Sequence, residues 1–114
     1  MKMKIHRGAL VVATVAALVG FPLFNGLALA DHHAVEALEH AKEAVAHGKE
    51  GHAAALVEHA REALKHAEAS DVKSPHLAEG IKHLKEALNH GLAPHVDVAT
   101  EHAEGAVSHL SEVK

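Results

Sequence analysis

Apolar residues recur at steps of three and four along residues 31–114, in runs that glycine and proline interrupt. The first run carries Ala34, Ala37, Leu38 and Ala41, a spacing that places them on one face of an α-helix. Alanine, leucine, glutamate and lysine dominate these runs, and all four are good helix formers. The pattern predicts four helices, each of roughly 15 to 18 residues.

The interruptions predict where the helices end and begin. They fall at residues 48–51, 69–74 and 91–94. Gly48 and Gly91 suit the position just past a helix C-terminus. Pro75 and Pro94 suit the first turn of the next helix, and Ser74 suits an N-cap. Short connections favour an all-α fold, an antiparallel up-down-up-down four-helix bundle built from two helical hairpins.

Twelve histidines follow the same helical spacing. Within each of four triplets the step is seven residues, and the second half of the domain repeats the first at an offset of 43. Internal repetition of this kind indicates matching structural units. The triplets are His33, His40 and His47; His52, His59 and His66; His76, His83 and His90; and His95, His102 and His109.

An α-helix turns by about 100° per residue, so the centre of the apolar face lies about 90° around the helix from each histidine. Each histidine therefore lies at the border of the apolar face. Two antiparallel neighbouring helices then either both direct their histidines toward the seam, the line of contact between them, or both direct them away from it. The rows of facing histidines, called histidine ladders below, therefore lie either within the hairpins or between them. The short steps in HGKEGH and HGLAPH favour ladders within the hairpins. The expected layers are His33 with His66, His40 with His59, His47 with His52, His76 with His109, His83 with His102, and His90 with His95.

Histidines in this arrangement are candidate metal ligands. Two that lie seven residues apart on one helix are about 10.5 Å apart, too far to share an ion with bonds of about 2.0 to 2.1 Å. One ion must therefore join histidines of adjacent helices, or a histidine with a glutamate three residues after it or four before it. Glutamate is missing from this pattern at three positions, which are occupied by Ala55, Val98 and Gly105. The glutamates also have a simpler explanation as i, i+4 helix support.

The ligand chemistry favours copper among the transition metals. The chain has no cysteine, so soft Cu(I) is poorly served, whereas imidazole and carboxylate suit Cu(II), with nickel, zinc and cobalt as further candidates. The candidate metal ligands are His32, His33, His40, His47, His52, His59, His66, His76, His83, His90, His95, His102 and His109.

Residues 1–30 have the features of an export signal. The basic start MKMKIHR precedes the apolar run GALVVATVAALVGFPLF and the small-residue site Ala28-Leu29-Ala30, which together indicate a secretory signal peptide. An uncleaved membrane anchor is the alternative, but Pro22 and the small-residue site favour cleavage after Ala30. The expected domain is then residues 31–114.

Cleavage after Ala30 would create one further metal site. The new terminus would be Asp31-His32-His33, and its free amine, two backbone amides and the His33 imidazole form a square-planar nitrogen set suited to Cu(II) or Ni(II).

The charge of residues 31–114 points to cations as partners. This part of the chain has fifteen acidic and eight basic residues, a net charge of −7 with histidine neutral. Such a charge argues against binding to nucleic acid or to an anionic membrane.

Other function classes fit the sequence less well. A pH-responsive bundle without a dedicated metal role is the main alternative, because protonation near the usual histidine pKa of about 6.5 would make the ladders repel. An enzyme is not expected, because the Glu-x-x-His pairs of di-iron bundles and the His-Glu-x-x-His zinc motif are missing from the sequence.

The repeats resemble those of a known family, the small metal-binding proteins of bacterial periplasms. The resemblance covers Asp31 to Lys114 and rests on EAVAHGKEGH, LVEHAREALKHA, GIKHLKEALNHG and VATEHAEGAVSHL. It implies a monomeric, cofactor-free four-helix bundle in the periplasm that binds several divalent ions, copper foremost, for copper buffering or resistance. It also implies that the heptad histidines are the ligands, helped by carboxylates such as Glu36, Glu43, Glu62, Glu79 and Glu86.

Overall fold

The computed structural model describes residues 31–93 and 95–114, which form four helices and no strand. The predicted signal peptide and Pro94 lie outside the described residues. The helices are α1, His32–Lys49; α2, Ala53–Ala69; α3, Pro75–Leu92; and α4, Val96–Leu110. None of these helices is long and apolar enough to cross a membrane.

Polar side chains cap two of the helix starts. The Ala34 N–H donates to Asp31 Oδ1 over 3.4 Å, and the Ser70 hydroxyl donates to the same carboxylate over 3.0 Å. The Ser74 hydroxyl accepts from the His76 N–H over 3.1 Å, and Pro75 is the first residue of α3. The predictions for Ser74 and Pro75 are therefore confirmed, since both satisfy the usual requirements of a helix start.

The prediction that Gly48 and Gly91 lie just past helix ends is wrong. Both are buried inside the last turn of their helices. A Cβ at Gly48 would collide with the Thr100 side chain, and a Cβ at Gly91 would lie 2.7 Å from Val57 Cγ2. These glycines therefore let neighbouring helices approach closely, whereas the left-handed turn residue is Gly51, with φ +78°.

Each helix packs against two neighbours. Helix α1 contacts chiefly α2 and α4, and α3 contacts chiefly α4 and α2. The side chains between them form one core cluster, in which most buried residues are alanine and the largest fully buried side chains are Leu56 and Leu84. The core is therefore made by close approach of helix backbones more than by large side chains.

The buried face is narrower than the apolar pattern predicts. Positions one and four residues after a histidine are buried, as at Ala34 and Ala37, but the position five residues after it is only half-buried at Leu38 and Leu88. The centre of the buried face therefore lies nearer to the histidines than about 90°, and most ladder histidines are half-buried.

We predict that Leu84→Ala lowers the free energy of unfolding by about 2 to 5 kcal/mol, because it opens a cavity in a core with few large side chains. The matched control is Leu92→Ala on the same helix. Leu92 is 65% exposed, so its truncation should change the free energy by less than about 0.5 kcal/mol. Urea unfolding of the metal-free protein, followed by circular dichroism, measures both. Equal effects of the two substitutions would contradict this description of the core.

Candidate metal centre

The histidines line the seams within the two hairpins, the arrangement that the short steps between triplets favour. In the α1 and α2 seam, His33 Nδ1 lies 3.3 Å from His66 Nδ1. In the α3 and α4 seam, His76 Nδ1 lies 3.2 Å from His109 Nδ1, and His83 Nδ1 lies 3.3 Å from His102 Nδ1.

Each seam holds a zigzag of six imidazole rings. Successive ring centroids are 5.1 to 6.0 Å apart along each zigzag. The first histidine ladder runs His33, His66, His40, His59, His47, His52. The second histidine ladder runs His76, His109, His83, His102, His90, His95.

The predicted pairs, in which two histidines of the same layer face each other, are present. Each ladder also has diagonal pairs, in which a histidine contacts one from the adjacent layer of the other helix, and the sequence did not predict these. His40 stacks on His66 with 6° between the ring planes, whereas His40 and His59 of the same layer are at 30°. Side chains on a helix lean toward its N-terminus. Because the numbering of the paired histidines rises along one helix and falls along the other, facing rings lean in opposite directions and meet between layers.

Five groups of histidine and carboxylate ligand atoms come together within 4.8 Å in the described part of the chain. Four of them combine a glutamate, the histidine four residues after it, and a diagonal histidine from the next helix. They are named by their glutamates: the Glu36 group, Glu36, His40 and His66; the Glu43 group, Glu43, His47 and His59; the Glu79 group, Glu79, His83 and His109; and the Glu86 group, Glu86, His90 and His102. The last two repeat the first two at the 43-residue offset.

The fifth group lies at the turn between α1 and α2. This turn group consists of His47, Glu50 and His52. Glu50 was not among the predicted ligands, although its position between two histidines in HGKEGH is the signal that could have identified it. The turn group shares His47 with the Glu43 group.

Carboxylates contribute from one helix of each hairpin. The four glutamates that name groups all lie on α1 and α3, and Glu62 of α2, which the family resemblance implied as a helper, is in none of the five groups. The equivalent position on α4 is Gly105, where a Cβ would lie 2.8 Å from His83 Nδ1. The glycine thus makes room for the His83 ring.

Some predicted ligands are not brought into any of the five groups. His33 and His76 pair with the last histidine of the neighbouring helix, and His95 packs against His90 with 38° between the ring planes. His32 lies outside the ladder, with Nε2 3.7 Å from Glu36 Oε2. The amino-terminal chelate depends on cleavage after Ala30, which lies outside the described residues.

The donor atoms fit a bound transition metal. His40 Nδ1, His47 Nδ1 and His59 Nδ1 are buried and have no hydrogen-bond partner. Buried polar atoms are normally satisfied, and all three belong to the Glu36 or Glu43 group. A metal ion in those groups would supply the missing partner, and two imidazoles with a carboxylate are a common ligand set for such ions.

Burial makes several ladder histidines harder to protonate. It lowers the pKa of His59 and of His66 below the usual 6.5, against the opposing influence of Glu43 and Glu36 respectively. Burial also lowers the pKa of His83, and the neighbouring His102 lowers it further. A neutral imidazole is the form that binds a metal, so these shifts preserve ligand capacity in mildly acidic solution.

The chain matches the model of a known protein family. The family model described as small metal-binding protein matches residues 8–113, which cover all four helices. A search among curated proteins finds no match.

We predict that the metal-free protein loses stability as the pH falls through about 6.5 and below. The pKa values of His59, His66 and His83 are lower in the folded chain than their usual value, so the unfolded chain takes up more protons in this range. The folded protein is therefore most stable at pH values above the histidine pKa of the unfolded chain. Its stability declines as the pH falls from there toward the lower pKa values of the folded chain. Melting temperatures measured across this pH range test the sign, and a protein more stable in acid would contradict it.

We predict that Gly105→Ala weakens one metal site without removing any ligand. The new Cβ would press on the His83 ring, whereas alanine favours the helix itself. The count of tightly bound ions should fall by one while helix content is retained. The matched substitution is Glu62→Ala at the equivalent position of the first hairpin, which should leave the count unchanged. The same count for Gly105→Ala and the unmodified protein would contradict the assignment of His83.

Proposed function

The chain belongs to the small metal-binding protein family, and from this membership we propose that it sequesters several divalent transition-metal ions, Cu(II) foremost, in the periplasm. The observation that carries the proposal is the Glu-His-His group that occurs four times, twice in each hairpin.

The four glutamate-named groups share no residue with one another, so all of them can hold an ion at the same time. Within a ladder, equivalent ligands are one heptad apart, about 10.5 Å along the axis, and ions at that distance repel only weakly across a solvated surface. We propose a capacity of at least four ions, one for each such group.

Copper(II) is the metal that the donor set favours. Each group offers two imidazole nitrogens and a carboxylate oxygen, and residues 31–114 contain neither cysteine nor methionine. For nitrogen and oxygen donors the affinity order among divalent ions peaks at Cu(II). Nickel, zinc and cobalt are expected to bind the same groups more weakly.

The bundle that we propose is an antiparallel up-down-up-down arrangement. Support comes from the pairing of His33 with His66 and of His47 with His52, because residue numbers rise along α1 as they fall along α2. Neighbouring contacts of α2 with α3 and of α4 with α1 close the ring of helices.

The wider role that we propose is copper buffering or resistance by an exported monomer. Support for export comes from the signal-like residues 1–30, and support for a metal partner comes from the net charge of −7 on residues 31–114. We propose no catalytic role, because each of the four glutamate-named groups uses a glutamate four residues before its histidine, unlike the Glu-x-x-His spacing of di-iron bundles.

Titration of the protein with Cu(II), Ni(II) and Zn(II), followed by native mass spectrometry at about pH 7.5 and about pH 5.5, tests this proposal. We expect at least four tight Cu(II) ions at the higher pH and fewer at the lower, because protons compete for imidazole. Absence of tight metal binding, together with reversible loss of helix in acid, would instead favour the pH-responsive bundle. The lowered pKa values of His59, His66 and His83 are the observation on which that alternative depends.

We predict that His83→Gln removes one tight Cu(II) ion and His76→Gln removes none. Both residues are ladder histidines of α3, but only His83 belongs to a Glu-His-His group. Counting the bound ions of each variant by native mass spectrometry makes the comparison. If each substitution lost one ion, same-layer pairs rather than diagonal pairs would be the ligands.

A further inference from the structure

The two hairpin turns share a backbone hydrogen bond between their histidines but have different side chains. The His52 N–H donates to the His47 carbonyl over 2.9 Å, and the His95 N–H donates to the His90 carbonyl over the same distance. The residue three positions after the first histidine is Glu50 in one turn and Ala93 in the other. Only the first turn therefore has a carboxylate between its histidines.

The Glu50 carboxylate lies between two imidazoles. Its Oε1 is 3.3 Å from His52 Nδ1 and 3.9 Å from His47 Nδ1, the nitrogen that is buried without a partner. Two ligands of one ion with bonds of about 2.0 to 2.1 Å lie roughly 3 to 4 Å apart. Small side-chain adjustments would thus bring all three atoms onto one ion.

The turn group is open to solvent on one side and connected to the ladder on the other. The side chains of Glu50 and His52 are 62% and 59% exposed, and that of His47 is 31% exposed. His47 also belongs to the Glu43 group, whose His59 Nδ1 is buried. An ion bound at the turn thus already has one ligand of the next group.

Building on the proposed sequestration of metal ions, we propose that the turn group is a loading site for the first histidine ladder. A divalent ion that prefers nitrogen and oxygen ligands binds first to Glu50, His52 and His47. It then moves into the Glu43 group by exchanging Glu50 and His52 for Glu43 and His59, while His47 remains bound. Because both groups need His47, the turn group adds a route for uptake and no additional tight ion.

The second hairpin lacks this route. An ion at its turn would meet His90 and His95 with the uncharged Ala93 between them, so capture there has no carboxylate to neutralise the charge. Uptake by the Glu86 group is therefore expected to be slower than uptake by the Glu43 group, although the two groups contain the same ligand types.

Stopped-flow transfer of Cu(II) from a coloured chelator complex to the purified protein tests the proposal. The unmodified protein should show one fast equivalent followed by slower uptake. Glu50→Gln should lose the fast phase while native mass spectrometry counts the same number of tight ions. Ala93→Glu should gain a second fast equivalent, because it places a carboxylate at the equivalent point of the second turn.

A charge-matched control separates ligation from general attraction of cations. Glu58 lies on the same hairpin, its side chain is 72% exposed, and it belongs to none of the five groups. Glu58→Gln should therefore keep the fast phase. Equal loss of the fast phase in Glu58→Gln and Glu50→Gln would overturn the loading site in favour of general electrostatic attraction.

Two further outcomes would also overturn the proposal. Loss of one tight ion from Glu50→Gln would show that the turn is an independent site that does not compete for His47. Unchanged uptake in Glu50→Gln would show that the turn takes no part in loading. In both cases the unmodified protein still binds several Cu(II) ions, so failure of the loading site is distinct from failure of the proposed sequestration.

Discussion

Two histidines seven residues apart on one helix lie about 10.5 Å apart along its axis, and no single ion with bonds of about 2.0 to 2.1 Å can bind both. Every multidentate site that uses two ladder histidines must therefore come from two helices. The glutamate-named groups satisfy this requirement by taking one histidine from each side of a hairpin seam. Metal binding in this chain consequently depends on how closely and in which direction paired helices approach each other.

The alanine-rich core provides that approach. Small residues at the buried positions and glycines where side chains would collide with a neighbouring helix keep the backbones near one another, so half-buried imidazoles can meet across a seam. The same core has few large side chains to stabilise it. Ions that bind only the folded chain would add to its stability, which would couple metal binding to the persistence of the fold.

Much of this architecture could be predicted from the sequence, because helix formation depends on local spacing. The four helices, the Ser74 cap and the position of the histidines at the edge of the core follow from periodicity and residue type. The diagonal pairing of His40 with His66 depends on the tilt of side chains on two helices together, which spacing along one helix does not express. The roles of Gly48 and Gly105 are similar, since each makes room for a residue from a distant part of the chain.

The central claim is that one ion joins histidines of different layers across a seam. Loading the ¹⁵N-labelled protein with ¹¹³Cd(II) and measuring one-bond nitrogen–cadmium couplings by NMR would identify the ligands of each ion directly. The diagonal arrangement predicts that the rings of His40 and His66 couple to the same cadmium nucleus. Coupling of His40 and His59 to one nucleus, with His66 on another or on none, would contradict it.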